Sequence, residues 1–233
     1  MRRLRFRITA LGLCALALGA LGYSISGAQA EKGAAWMING SNISGTLKTL
    51  LQGALENEVA SLLTTIVGTP VKFLCKQIAF TTSLGLEGSV KEGKVKLSGC
   101  ATYLEGSSTP NAACLPKVAG VNDIIETNSI VGLLVLAGGV GEILLKAAKE
   151  GSPVATIESS EECSAAQKIN ITGELFLKDC ENRITQELVT HLFEADNTTS
   201  TLKASGQNTT LDGSINLSLG GEHMGLKWSG LPA

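Results

Sequence analysis

From Pro153 to Cys180 the chain reads PVATIESSEECSAAQKINITGELFLKDC. It holds two apolar runs of strand length, PVATIES and KINITGELFLK, separated by a short polar turn, with a cysteine after each run. Apolar runs this short, bounded by turn residues, can close a core only by pairing with many others like them. The rest of the chain supplies them. LGLEGSV and KVKLSG flank Lys91-Glu92-Gly93, where Val95 and Leu97 alternate with Lys94 and Lys96, so the segment predicts a hairpin with one apolar and one solvated face. SLLTTIVGTPVKFLCKQIAF carries β-branched residues on both sides of Gly68-Thr69-Pro70, a strand–turn–strand pattern. Further runs follow at VNDIIETNS, IVGLLVLAG and EILLKAAKE, then over Ile184 to Phe193, and NTTLDGSINLSL predicts a hairpin turn at Asp212-Gly213. The expected fold is all-β and mainly antiparallel, a sandwich or barrel of short strands. One segment, near 46–58, fits a short helix: Leu47, Leu50, Leu51, Ala54 and Leu55 keep a 3.6-residue period that Gly53 weakens, and a strand fits almost as well.

Arg2, Arg3, Arg5 and Arg7, the apolar run Ile8 to Leu21 and the small residues of Ala28-Gln29-Ala30 form the pattern of a secretory signal, residues 1–30, cleaved after Ala30. The apolar run falls short of the roughly 20 residues that a membrane span needs. The expected mature chain is a single secreted β-rich domain, residues 31–233, with no membrane span. Loss of four Arg leaves 15 basic residues against 21 acidic ones, a net charge of −6, which excludes the basic footprint of a nucleic-acid binder.

Five cysteines remain, and export makes disulfides the default reading. Cys163 with Cys180 would staple the two runs of the opening stretch. Among Cys75, Cys100 and Cys114 one pair is expected: Cys75–Cys100 would join two strands, while Cys100–Cys114 would close the loop between them.

Catalytic constellations are sparse. The two histidines are His191, in VTHLF on a period-two face with Val189 and Phe193, and His223, in GGEHMG beside Glu222. His191 reads as a half-buried strand residue and His223 as an exposed turn residue, and a single histidine is not a metal site. No nucleophile elbow or H-E-x-x-H helix is present. VGLLVLAGGVGEILLKAAKEGSPVATIESSE imitates a nucleotide-binding strand–loop–helix, with Glu158 at the right distance from Gly138. It lacks the full glycine spacing, and two strands joined by a glycine turn is the better reading. No cofactor is expected.

The phrases AAWMING, LSGC, IIETNSIVGLLVL, PVATIESSEECS, ITGELFLKDCE, VTHLFE and GEHMGLKWSGL together resemble a group of uncharacterised secreted proteins of soil actinobacteria, present in many copies per genome. The similarity covers most of the mature chain. It implies an extracellular β-rich protein with strands over 130–158, and it brings no catalytic residues.

The sequence therefore supports a non-enzymatic extracellular module that binds a protein or glycan partner or serves a structural role. Two alternatives stand beside it: a hydrolase using His191 or His223, and a β-barrel carrier of a small apolar ligand. Intact mass and N-terminal sequencing of secreted protein are expected to begin at Glu31; material retaining Met1 to Ala30 would overturn the cleavage site.

Overall fold

The computed structural model describes residues 33–44, 50–54 (main chain only) and 60–232. The secretory signal at 1–30 lies outside the described residues. Of the described residues 56% are in strands, and the sheets are antiparallel throughout. Its centre is a barrel-like sheet. The strand Gln77–Leu84 pairs with Ser89–Ser98, which pairs with Ile130–Ala137, which pairs with Val140–Ala147. The ladder continues through Leu175–Asp179, Thr190–Ala195, Ser214–Leu219 and Leu50–Ala54, and returns to Gln77–Leu84. Ser89–Ser98 closes the ring because it serves two neighbours with opposite edges. Its second half also pairs with the short strand Ile124–Glu126. Alternation is plain in Ser214–Leu219, where Ile215, Leu217 and Leu219 are buried and the residues between them are half-buried.

Three smaller sheets complete the fold. Thr210–Asp212, Ala60–Ile66, Thr69–Cys75 and Ala101–Leu104 form one. A second, of six strands, is built round the hairpin Ala155–Glu158 with Lys168–Thr172. In the third, Ala35–Ile38 pairs with Ser41–Asn42 on one edge and with Trp228–Leu231 on the other, so the first and last strands described lie side by side. One buried apolar cluster runs from Trp36 and Trp228 through the barrel to Leu62, Phe73, Ile157 and Ile171 of the smaller sheets.

Residues 50–54, expected as part of a short helix, are a strand paired on both sides; the rest of that segment, 45–49 and 55–59, lies outside the described residues. Two waiting strand edges outweigh a helical period of a few residues already weakened by Gly53. The glycine-rich decoy is likewise no nucleotide loop: Ile130–Ala137 and Val140–Ala147 form a hairpin over a Gly138-Gly139 turn, both glycines at positive φ.

Three expected local features differ. Lys91-Glu92-Gly93 is not a hairpin turn; the strand runs through it with a bulge. Glu92 takes φ +53° and the register against both neighbours shifts there. The turn lies earlier, at Leu86-Glu87-Gly88, where Glu87 and Gly88 are left-handed. Asp212-Gly213 does not turn a hairpin either: Thr210–Asp212 pairs with Ala60–Ile66, while Ser214–Leu219 belongs to the barrel. Gly213 is the point of exchange. At φ +136°, with an added Cβ 3.2 Å from Ala60 Cα, it admits only glycine cheaply.

The third difference concerns the disulfides. Cys75 is bonded to Cys100, and Cys163 is bonded to Cys114 rather than to Cys180. The run KINITGELFLK is two strands, broken at Gly173 with φ +100°. Lys168–Thr172 stays with the six-stranded sheet, while Leu175–Asp179 crosses into the barrel and carries Cys180 with it. Cys163 is left in the loop that faces the turn at Ala112–Cys114, where Ser160 Oγ donates to Ala113 O at 2.7 Å.

Peptide mapping without reduction is expected to recover Cys75–Cys100 and Cys114–Cys163. Replacing Cys114 and Cys163 together by Ala should lower unfolding free energy by about 4 kcal/mol, from the entropy of a loop of this length. A non-reduced peptide joining Cys163 to Cys180 would overturn the assignment.

Candidate functional site

One end of the barrel is sealed by the ribbon of first and last strands. Trp36 and Trp228, both fully buried, have ring centroids 5.9 Å apart, and Phe193 lies 6.4 Å from Trp228. Trp36 Nε1 donates to Ser89 O at 2.9 Å, tying the plug to the closing strand. Gly230 sits under Trp36: an added Cβ would lie 2.9 Å from its ring, so the close approach needs glycine there.

His191 stands against this plug, its ring 4.4 Å from Trp228 and edge-on. It is 0% exposed, deeper than the half-buried position its pattern suggests. Val189, expected on the same face, is instead 41% exposed, because the strand begins only at Thr190. His191 Nδ1 is 2.7 Å from Asp179 Oδ2, and Nε2 is 3.0 Å from the main-chain oxygen of Trp228. Both nitrogens thus face oxygen atoms. Asp179 Oδ1 accepts the main-chain N–H groups of Glu181 and Arg183 at 3.2 Å each. Burial pushes the Asp179 carboxyl up, but the His191 hydrogen bond and these two N–H groups outweigh it and hold the carboxyl below its usual range.

An aspartate–histidine pair is two thirds of a hydrolytic triad. Here the position that a nucleophile would need, at Nε2, is held by a peptide carbonyl, which has no proton to give. The pair clamps the C-terminal strand to the barrel. His223 lies elsewhere in environment, half-buried at the end of the single turn Gly221–His223. The described residues hold no group of three His, Cys, Asp or Glu able to bind a metal.

A second titratable pair was not legible in the sequence, where Glu142 follows a glycine turn and Asp196 belongs to a set of scattered loop acids. On Val140–Ala147, Ile143 and Leu145 face the main core; Glu142 and Leu144 occupy the other face, Leu144 against Val135 and Phe176. Glu142 is only 2% exposed, and its Oε2 has no hydrogen-bond partner among the described residues. Its cross-strand neighbour is Lys178, which is ion-paired to Glu194 at 3.2 Å. Burial, then the charge of Asp196 and a hydrogen bond shared with it, push the Glu142 carboxyl up to about 8 against the pull of Lys178. Burial also pushes Asp196 up, but Thr198, Lys178 and Thr199 outweigh it and hold it low. Two carboxyls with opposed shifts are the raw material of acid–base catalysis, yet neither lines any of the clefts below.

Those clefts are of two kinds. Open polar grooves run beside Lys146, Lys149, Glu150 and Glu174, about 700 Å³, and beside Lys94, Lys117, Glu126 and Glu158, about 380 Å³. Both mix charge signs and contain no aromatic ring. The third is an apolar cavity of about 70 Å³ at the barrel end opposite the tryptophans.

Comparison of the chain with models of protein families, with curated proteins and with solved structures finds no match.

His191→Ala should destabilise the fold by about 3–5 kcal/mol, because Asp179 is left as a buried, unpaired charge; urea unfolding at neutral pH checks this, and a loss under 1 kcal/mol would deny the clamp. For Glu142 the folded chain keeps its proton up to about pH 8 and the unfolded chain loses it near 4.5. The folded state then binds more protons across that window, so this group erodes stability as pH rises from about 4.5 to 8. Glu142→Gln removes the erosion, and its unfolding free energy should gain on wild type by about 1.4 kcal/mol per pH unit, about 5 kcal/mol in all, between those limits; parallel curves would refute the shift.

Proposed function

We propose that the protein is a secreted, disulfide-bonded β module of bacterial origin that works outside the cell by binding a protein or glycan, or as a structural component, rather than by catalysis. The observation that carries this reading is the closure of His191. One of only two histidines in the chain has both nitrogens committed, to Asp179 and to the Trp228 carbonyl, at 0% exposure. Of the two histidine-based hydrolase readings, the one through His191 loses its support, and the one through His223 stands as the alternative. The two disulfides fit an oxidising compartment outside the cytoplasm. No described helix is long and apolar enough to cross a membrane. The open grooves of mixed charge suit a neutral, polar partner such as a glycan or a protein surface, and they lack the basic excess that nucleic acid requires.

Purified, oxidised protein should turn over no ester, peptide or glycan substrate above the blank, and should be retained on arrays of cell-wall glycans or matrix proteins in a way that Lys146→Glu with Lys149→Glu diminishes. Reproducible turnover abolished by His223→Ala would sink the reading and establish the hydrolase.

A further inference from the structure

The barrel bore has two unlike ends. Trp36, Trp228, Phe193 and the clamped His191 fill one. The other ends on Ile130, Leu145 and Leu175, where the barrel meets the two larger of the three smaller sheets, and there the side chains do not meet. The remaining space, about 70 Å³, is walled by Leu97, Ile130 and Leu145 on the barrel side and by Leu62, Ala155 and Ile171 opposite.

Three properties of this space bear on what it holds. Its walls present no polar surface. The one polar side chain that reaches it, Thr127, already accepts the Val95 N–H at 2.9 Å. A water molecule needs two to four polar partners to be held in a protein interior, and these walls offer at most the Thr127 hydroxyl. Its walls are also drawn from three different sheets, so no single side-chain rotation fills it.

We infer that this cavity is a binding site for a small uncharged hydrocarbon guest without hydrogen-bonding groups. The site goes beyond partner binding at the surface and does not depend on it. Size sets the class: a dry cavity of about 150 Å³ takes benzene or xenon, so half that volume suits xenon or a guest of about two or three carbon atoms. Longer ligands of the kind carried by wide barrels do not fit, which narrows the carrier alternative to guests of this size.

The test uses oxidised full-length mature protein with ¹³C-labelled methyl groups, titrated with xenon and separately with cyclopropane. Saturable shifts are expected at the methyls of Leu62, Leu97, Ile130, Leu145 and Ile171, with none at Leu134 or Leu217 nearer the tryptophan plug. Ala155→Leu fills the space and should weaken both guests at least tenfold while the methyl spectrum of the plug stays unchanged. If that variant does not fold, Val154→Ile, a smaller addition to the same wall, should weaken binding in the same direction. Shifts that grow linearly without saturation, that spread across the whole core, or that survive in the folded filled variants would overturn the site. Saturation by 1-hexanol as tight as by cyclopropane would also overturn it, by showing a larger amphipathic pocket.

Discussion

The fold rests on the double pairing of Ser89–Ser98. Its hydrogen-bonding groups serve Gln77–Leu84 along one edge, and Ile130–Ala137 followed by Ile124–Glu126 along the other. Without that strand the ring would be an open sheet with two unpaired edges, a state that invites pairing between chains. The bulge at Glu92 is what makes the double service geometrically feasible. An extra residue bends the strand and raises its twist at the point where the partner along its second edge changes from Ile130–Ala137 to Ile124–Glu126, while Gln77–Leu84 stays paired along the first. The tryptophan plug depends on the same element through the bond from Trp36 to Ser89.

Polar chemistry in the interior is concentrated where strands end. The Asp179–His191 pair lies at the plugged end, and Glu142 with Asp196 lies on the other face of the barrel wall near the end of Thr190–Ala195. Buried ion pairs contribute less to stability than their close contacts suggest, because desolvation opposes the attraction, and their best-attested effect is to fix one arrangement among several. His191 does this by reaching a carbonyl 37 residues away, so that a displaced C-terminal strand would leave a buried donor unmet.

The all-β class was legible because alternation in Ser214–Leu219 or Lys168–Thr172 depends only on neighbours two residues apart. The Cys163–Cys180 expectation failed because sheet membership is not local. KINITGELFLK looks continuous, and only Gly173 hints that the chain changes sheets inside it; an added Cβ there would lie 2.3 Å from Thr201 O, a contact that no local pattern contains. Gly213 misled in the same manner, a turn residue serving as a passage between sheets. Of the candidate site, the sequence offered His191 and its inward face. It could not offer Asp179 as partner or the Trp228 carbonyl as the second acceptor, because both contacts arise from strand order round the barrel. Glu142 was hidden more deeply, since a charged residue in a strand normally marks the solvated face.

Pairing between Ala35–Ile38 and Trp228–Leu231 has a consequence for how the chain is fastened. Trp36 and the groups that complete the plug, the Trp228 ring 5.9 Å away and the Trp228 carbonyl that meets His191 Nε2, lie on opposite sides of most of the described chain. All four disulfide cysteines lie between Trp36 and Trp228 in the sequence. Both cross-links therefore lie inside the loop of chain that the pairing of Ala35–Ile38 with Trp228–Leu231 closes, so the plug and the disulfides fasten the fold at nested sequence separations.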